Sequence, residues 1–149
     1  MTLRILDEPK IDAHVHVLDP VRFPYGADTH YRPAGQEIAT ADQLFQVMKT
    51  YGVQHALIVG PNSGYELDNR CMLDALARSG GRCKGIAVVA NDIGGADLEA
   101  LKAAGVIGVA WNATRHGVPF YADASGLLAR LAALDMFIQV QVEHDQLAE

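Results

Sequence analysis

The chain has 149 residues, half of them hydrophobic and a fifth charged, which suits one packed domain and excludes wholesale disorder. Its formal net charge of −6 comes without any basic run, which argues against nucleic-acid binding. No apolar run approaches the ~20 residues of a membrane span, and the N-terminus lacks the apolar stretch of a signal peptide. We therefore expect a single cytoplasmic domain over residues 1–149 with no nucleic-acid or membrane partner.

Five short apolar segments alternate with four helical patterns along the chain. The predicted strands, rich in Val and Ile, are Lys10–Val17, Gln54–Gly60, Cys83–Val89, Val106–Asn112 and Phe137–Val142. The predicted helices run from the capping residue Thr40 to Gly52, over Glu66–Ser79, over Ala96–Ala104, and onward from Ser125 as N-cap. This alternation predicts an α/β fold with a parallel sheet.

Polar residues on the first and last strands distinguish a barrel from an open sheet. Alternate side chains of a strand share a face, so Asp12, His14 and His16 are predicted on one face of the first strand. Gln139 and Gln141 share a face of the fifth. An open sheet covered by helices on both sides would have to bury these side chains, whereas a barrel exposes them to a site at its mouth. We expect the (β/α)8 TIM-barrel type, incomplete here with about five strands and four helices.

His14 and His16 are the central candidates for chemistry. They lie two residues apart at the end of the first strand, so both imidazoles are predicted to point into one space. Neutral imidazole is the commonest protein ligand for zinc, and a pair on one strand is preorganised. A metal held there would lower the pKa of a water molecule and polarise a carbonyl. The alternative is a pair of ordinary core or surface histidines, since HxH alone is a weak signal.

Loops after the strands carry further candidates. In Gly60–Tyr65, Ser63 and nearby backbone amides either hold a carboxylate or form a plain turn and helix cap. Arg115, after the fourth strand, either pairs with an anionic substrate or is a solvated loop arginine. The aromatic loop Leu18–Ala39 is either a lid over the site or a packing loop.

Several residues and motifs bear on other chemistries. Cys71 and Cys83 form no CxxC pair and are predicted to be buried free thiols of a reducing compartment. His55, at the start of the second strand and hence on the opposite rim, is predicted to be structural. No GxxxxGK[ST] loop, GxGxxG fingerprint or GxSxG elbow occurs in the sequence. Nucleotide binding and serine-hydrolase chemistry are therefore not predicted.

The chain contains, in order, the segments KIDAHVHVLDP, PYGADTHYRP, GPNSGYELDNRCMLDAL, GRCKGIAVVAND and LKAAGVIGVAWN. This series resembles the amidohydrolase-related TIM-barrel family, closest to its pyrone-dicarboxylate lactonase-like branch, over about Lys10 to Leu147. The resemblance implies hydrolysis of a lactone or related carboxylic ester on a small anionic, ring-derived substrate of aromatic catabolism. It also implies that His14 and His16 bind a metal or polarise the carbonyl.

The same resemblance extends to the substrate pocket and the cofactor. It implies that the pocket is lined by Tyr31, Ser63, Arg115 and Gln141. Family members differ over the metal, because many bind a divalent ion through HxH whereas the lactonase-like branch is thought to work without one. We therefore expect either a divalent ion, zinc first, at His14 and His16 or a metal-free site.

Two features depart from the family pattern. Where the fourth-strand motif often reads Gly-Val-Arg-Phe-Asn, Gly108–Asn112 reads Gly-Val-Ala-Trp-Asn, so Ala110 replaces an arginine that would hold a carboxylate. The family barrel has eight strands, and the five predicted here come without the later histidine and the last-strand aspartate expected as general base. Open strand edges favour pairing, so we expect a homo-oligomer with little catalysis. A decarboxylase of the same superfamily and an inactive binding or assembly module remain alternatives to the hydrolase.

Overall fold

The computed structural model describes residues 8–146 and 148. Five parallel strands form one sheet in the order β1-β2-β3-β4-β5. The strands are β1 (Lys10–Val15), β2 (Val53–Val59), β3 (Cys83–Ala87), β4 (Val106–Asn112) and β5 (Phe137–Gln141). The predicted parallel α/β fold is confirmed. Four of the strands end one or two residues earlier than predicted, because apolar residues such as Val17 and Val88 are buried in the loops that follow the ladder.

Helical segments connect consecutive strands. They are α1 (Ala41–Tyr51), the single turn α2 (Asn62–Tyr65), α3 (Arg70–Arg78), α4 (Gly95–Ala103), the single turn α5 (Ala113–His116) and α6 (Ser125–Ala133). Short 3-10 helices at Gly35–Glu37 and Val118–Tyr121 lie in the longer loops. α1 packs on β2, α3 on β3 and α4 on β4, so the helices cover the outer side of the sheet. No helix among the described residues is long and apolar enough to cross a membrane.

The predicted helix boundaries hold for α1 and fail for two others. Thr40 caps α1 with the side chain of Gln43 reciprocating, and Gly52 ends it in the left-handed region at φ 70°. The helix predicted from Glu66 begins only at Arg70, because Glu66 has φ 50° and cannot continue a helix. Ser125 is the first residue of α6 and not its N-cap, a position that Ala124 occupies without a capping side chain.

The sheet is strongly curved. Strands β1 and β5 lie four strand intervals apart, which in a flat sheet separates them by about 19 Å. Gln139 Nε2 of β5 nevertheless lies 2.6 Å from His14 Nδ1 of β1. A direct contact between the first and last strands is possible only if the sheet curls round, so the five strands form part of a barrel wall. The expected incomplete TIM-barrel type is thus confirmed over an open sheet.

A β-bulge in β1 interrupts the alternation of side chains between the two faces that the sequence predicted. Asp12 pairs with Ala56 and Val15 pairs with Ile58, so three steps on β1 match two on β2. Ala56 and Ile58 both face the buried helix layer, and their partners on β1 therefore share that side. Asp12 consequently does not share the face of His14 and His16. Its carboxylate instead accepts the backbone N–H of His14 at 3.1 Å, which stabilises the bulge.

Large apolar side chains are exposed on the two edge strands. Ile11 of β1 is 72% exposed, and Phe137 and Val140 of β5 are 46% and 49% exposed. The inner strands instead bury Ile58, Ile86 and other apolar residues completely. The hydrophobic core is therefore complete behind β2, β3 and β4 and open at β1 and β5.

Gly108 offers a test of the β4–β5 pairing. A Cβ at this position would lie 2.5 Å from the backbone carbonyl oxygen of Phe137, which cannot move without disturbing β5. We expect Gly108→Ala to lower the free energy of unfolding by about 1–3 kcal/mol, measured by urea denaturation. Gly95→Ala at the start of α4, where a Cβ meets nothing within 4 Å, is the matched control and should change it by less than about 1 kcal/mol. Equal effects of the two substitutions would contradict the close packing of β4 on β5.

Candidate active site

A cleft of about 420 Å³ opens at the carboxyl ends of the strands. Three of the predicted site residues line it: His16 after β1, Ser63 after β2 and Arg115 after β4. The loops after β2 and β4 are joined by a hydrogen bond from Asn112 Nδ2 to Asn62 Oδ1 of 3.1 Å. Residues that are far apart in sequence therefore meet at this edge, as expected for a parallel sheet whose loops share one end.

The other predicted site residues, His14, Tyr31 and Gln141, are not among the residues that line this cleft. The Tyr31 hydroxyl donates a hydrogen bond to Glu37 Oε1 at 2.5 Å, and Glu37 itself lines the cleft. This bond lowers the pKa of the Glu37 carboxyl and raises the pKa of Tyr31. Gln141 is exposed at the end of β5, where it pairs in register with Asn112.

The tautomer of His16 is set by the backbone. Its Nδ1 lies 2.7 Å from the carbonyl oxygen of Val59, at the end of β2. A carbonyl only accepts hydrogen bonds, so Nδ1 carries the proton and Nε2 of the neutral ring has a free lone pair. His16 is thus oriented as a proton acceptor or a metal ligand.

His14 completes the pair. Its Nε2 lies 3.4 Å from His16 Nε2, and the two rings are nearly perpendicular at 87°. Burial lowers the pKa of His14, the neighbouring His16 lowers it further, and Asp12 partly opposes both. These shifts favour a neutral His14 ring near neutral pH.

The spacing of the pair fits one metal ion. Two nitrogen ligands of a tetrahedral zinc ion, each bonded at about 2.0–2.1 Å, lie about 3.3–3.4 Å apart. The distance between the two Nε2 atoms is 3.4 Å. Over residues 8–146 and 148, no group of three or more His, Cys, Asp or Glu side chains gathers around one point. Of the described residues, His14 and His16 alone would therefore be available to hold an ion at this point.

Glu66 and His30, which sequence reasoning did not assign to the site, surround the predicted anion-binding arginine. Glu66 Oε1 accepts a hydrogen bond from Arg115 Nη2 at 2.7 Å and lies 3.0 Å from His30 Nδ1. Asn112 holds the arginine in place, because its Oδ1 accepts the backbone N–H of Arg115 at 3.0 Å. Arg115 is therefore neither free nor simply solvated, since the Glu66 carboxylate already accepts a hydrogen bond from one of its guanidinium nitrogens.

The aromatic loop packs against the turn after β2. The backbone N–H of Gly64 donates to Tyr31 O and Thr29 Oγ1, each at 2.9 Å, and Gly26 N–H donates to Gly64 O at 2.9 Å. A Cβ on Gly64 would overlap the ring of Tyr25 at 2.5 Å, which explains the glycine. The amide of Gly64 is thus used by the loop, so a carboxylate bound here would depend on Ser63 and not on this amide.

A second cavity of about 520 Å³ adjoins the cleft and shares Asn62 with it. It lies over β3 and β4, and its lining includes Val88, Val89, Ala110, Phe120 and Tyr121. Ala110 occupies the position where the family pattern often has arginine. Among the described residues its lining includes the carboxylates of Glu66 and Asp92 and the imidazole of His116 but no lysine or arginine, so this cavity is unfavourable for a second carboxylate.

Comparisons with known proteins agree with this geometry. The family model described as amidohydrolase matches residues 11–149. The chain is 32% identical over 142 residues to 2-pyrone-4,6-dicarboxylate hydrolase of Comamonas testosteroni, covering 93% of this chain and 45% of that protein. It is 31% identical over 99 residues to 4-sulfomuconolactone hydrolase of Hydrogenophaga intermedia, covering 66% of this chain and 31% of that protein.

Solved structures show the same fold. A crystal structure from Acinetobacter baumannii, described as a probable 2-pyrone-4,6-dicarboxylic acid hydrolase with citric acid bound, aligns with a TM-score of 0.74 at 25% identity, over 89% of this chain and 49% of that one. An apo structure from Agrobacterium tumefaciens aligns with a TM-score of 0.78 at 20% identity, over 95% of this chain and 49% of that one. The chain thus spans about half the length of the relatives it matches or less.

The pairing of Arg115 with Glu66 generates a prediction about anion binding. Glu66→Gln removes the competing charge, so we expect it to tighten benzoate binding by up to about fivefold, since exposed ion pairs contribute about 0.2–1 kcal/mol. Arg115→Ala should weaken binding by about tenfold or more, as expected for loss of a charged hydrogen bond. Both are measured by calorimetry.

Charge-matched controls are available on the outer helices. Glu99→Gln on α4 and Lys49→Ala on α1 change the net charge equally and should leave benzoate affinity unchanged. Weakened binding in Glu66→Gln would show that the carboxylate supports the anion site and does not compete with it.

Proposed function

The chain belongs to the amidohydrolase family. On that basis we propose that it contributes His14 and His16 to the active site of a lactone hydrolase. The observation that carries this proposal is a cleft lined by His16 and Arg115, with His14 packed against His16. Relatives named as pyrone-dicarboxylate and sulfomuconolactone hydrolases support the reaction class. The proposed substrate is a small anionic, ring-derived lactone.

We propose that His14 and His16 act directly on the lactone group. His16 lines the cleft, and its unprotonated Nε2 would accept a proton from water as the water oxygen bonds to the carbonyl carbon. It would then return that proton to the ring oxygen as the C–O bond of the lactone breaks. His14 lies beside it and would polarise the carbonyl through its ring. Held by Val59 O and Gln139, both rings are fixed before substrate arrives.

A divalent metal ion, zinc first, is part of the proposal. The Nε2 atoms of His14 and His16 would hold it, which the 3.4 Å spacing supports. Such an ion would polarise the lactone carbonyl and acidify water when bound. The two rings would then act as ligands, and proton transfer would pass to other groups.

The charges around the cleft support a substrate with one carboxylate near Arg115. Arg115 and Ser63 both line this cleft, and their guanidinium and hydroxyl groups would donate hydrogen bonds to that carboxylate. The adjoining cavity at Ala110 would take an uncharged part of the substrate, because a second carboxylate there would meet Glu66 and Asp92 and no lysine or arginine in the lining. Tyr31 and Gln141 would border the substrate from the rim.

One assay tests the reaction class. The chain is incubated with 2-pyrone-4,6-dicarboxylate and with a monocarboxylated pyrone, with zinc or with a chelator, and loss of the lactone is followed by absorbance. We expect slow hydrolysis that falls at least about 100-fold in His14→Ala and His16→Ala, because general acid–base groups contribute about 10²–10⁴-fold. The control His55→Ala, at the opposite rim and bonded to Arg82 O, should retain the activity.

The same assay separates the alternatives. Release of carbon dioxide instead of ring opening would replace the hydrolase with a decarboxylase. Binding of the ring carboxylate without any turnover would identify a binding or assembly module. Activity that survives both histidine substitutions would contradict the proposed site.

Self-association is a separate proposal, supported by the exposed apolar side chains of the edge strands β1 and β5. We expect sedimentation equilibrium to give a mass above the 16.0 kDa of one chain. Ile11→Lys on the edge strand β1 should shift the equilibrium toward that single-chain mass, whereas Val47→Lys on α1, a similarly exposed apolar residue, should not. A compact, stable species of 16.0 kDa at high concentration would contradict the proposal.

Cellular location belongs to the same set of proposals. Cys71 and Cys83 are both buried and both free. Free thiols are usual in reducing compartments, which supports a cytoplasmic protein.

A further inference from the structure

The adjoining cavity over β3 and β4 has the size and lining of a small-molecule pocket. Its volume of about 520 Å³ lies within the range of about 300–1,000 Å³ that is usual for ligand pockets. The apolar side chains in its lining are those of Leu67, Val88, Val89, Ala90, Ala110 and Phe120. The proposed function places an uncharged part of the substrate here, and this lining indicates which kind of group that part is.

One wall of the cavity is aromatic and is held by hydrogen bonds. The second 3-10 helix carries Phe120 and Tyr121, and the Phe120 ring stacks on that of His116, with centroids 4.6 Å apart and planes inclined by 23°. Asn91, in the loop after β3, donates from Nδ2 to the Phe120 carbonyl at 2.7 Å. The backbone N–H of Asn112 donates to the Tyr121 hydroxyl at 2.8 Å. The wall is therefore in place before a ligand arrives, and Phe120, which is 50% exposed, has ring surface left for it.

Ala110 borders the cavity from the sheet. Val109 before it is fully buried in the core under the helices, so Ala110 faces the opposite side of β4. A methyl group takes up little of the space over the strand, whereas leucine at the same position would fill the part of the cavity nearest to β4. The room for a ligand therefore depends on the small side chain at position 110.

The ionisable groups of the lining do not favour a charged ligand. Glu66 Oε1 already accepts a hydrogen bond from Arg115 and lies 3.0 Å from His30 Nδ1. Asp92 is exposed to solvent, where ion pairs contribute little. Burial and the neighbouring Arg115 lower the pKa of His116, which favours a neutral ring near neutral pH. A second carboxylate would be repelled here, and a cation would find no desolvated partner of its own.

One ligand can reach both Arg115 and the cavity. Glu66 lines the cavity, and its Oε1 lies 2.7 Å from Arg115 Nη2. His116, the next residue after the arginine, also lines the cavity, and Asn62 lines both spaces. A ring whose carboxylate pairs with Arg115 can therefore direct a second substituent into the adjoining cavity.

We propose that the adjoining cavity is a specificity pocket for an aryl substituent, with Ala110 and Phe120 as the residues that determine this preference. An aryl group suits the pocket better than an aliphatic group of similar size, because a ring packed against aromatic side chains gains more than the burial of its area. The inference deepens the proposed function, since the substrate would be a lactone with one carboxylate and one aryl group. Only the lactone part rests on that function, because aryl carboxylates are expected to bind whether or not the chain is active.

The first test compares ligand affinities of the wild-type chain by calorimetry. We expect 3-phenylbenzoate to bind at least about tenfold more tightly than benzoate, the scale expected for burial of an apolar ring. It should bind about threefold more tightly than 3-cyclohexylbenzoate, as expected for an aromatic contact. Isophthalate, with a second carboxylate in place of the phenyl group, should gain no more than the roughly twofold that two equivalent carboxylates provide.

Three results of this comparison would overturn the proposal. The first is that 3-phenylbenzoate binds no more tightly than benzoate, or does not bind. The second is equal affinity for the phenyl and cyclohexyl compounds, which would indicate a pocket without aryl preference. The third is tighter binding of isophthalate or 3-(aminomethyl)benzoate than of 3-phenylbenzoate, which would indicate a pocket for a charged group.

The second test locates the aryl group with variants. Ala110→Leu fills the cavity and Phe120→Ala removes part of its wall, so each should weaken 3-phenylbenzoate binding by about fivefold or more and leave benzoate affinity within about twofold. The matched controls Ala96→Leu on α4 and Tyr51→Ala at the end of α1 lie at exposed positions of the outer helices and should change neither affinity. Thermal unfolding checks that each variant is folded, and Phe120→Ala decides alone if Ala110→Leu is not. Unchanged 3-phenylbenzoate affinity in the folded cavity variants would overturn the assignment to this cavity.

Hydrolysis is measured separately on the same chain, with 2-pyrone-6-carboxylate and its 4-phenyl derivative. Selective binding of 3-phenylbenzoate without turnover of either pyrone would refute the proposed function alone. Turnover of both pyrones with no lower KM for the phenyl derivative, and no tighter binding of 3-phenylbenzoate, would refute the aryl pocket alone.

Discussion

The curvature of the sheet is the constraint on which the site depends. A flat five-stranded sheet would hold β1 and β5 about 19 Å apart, and their polar side chains would project side by side into solvent. Because the sheet curls, Gln139 reaches His14 directly. The same curvature brings the loops after β2 and β4 together, and the Asn112–Asn62 hydrogen bond fixes their separation. The contact of the histidine pair with β5 therefore follows from the same geometric feature as the closeness of the loops that carry Arg115 and Asn62.

Much of the fold was predictable because the hydrophobic periodicity of each element agrees with the residues that cap and end it. Thr40, Gln43 and Gly52 mark both ends of α1, and the structure places them where the pattern did. The bulge in β1 was not predictable, since an extra residue in a ladder depends on the neighbouring strand and leaves no local signal. The late start of α3 has a similar origin, because the Asn69 side chain hydrogen-bonds to the backbone of Val88, just after β3.

The candidate site was likewise only partly predictable from the sequence. His16, Ser63 and Arg115 were found because each follows a strand, and parallel strands place such residues at one edge. Their partners were missed for a physical reason. Glu66 reads as the first turn of a helix, and its role appears only once α2 has turned the chain back toward Arg115. Gln139 was recognised as inward-facing, but its contact with β1 requires the curvature that a strand pattern does not contain.

The two histidine rings are oriented by contacts of different kinds, and these contacts cannot be read from the HxH motif. His16 is fixed by a backbone carbonyl, an arrangement that is present whenever β1 and β2 are paired. His14 is fixed by a side chain that accepts or donates with equal ease. The orientation of the His14 ring therefore depends on a side chain 125 positions away in sequence. The HxH motif predicts two neighbouring imidazoles, and the contacts that orient each ring come from other strands that the motif does not contain.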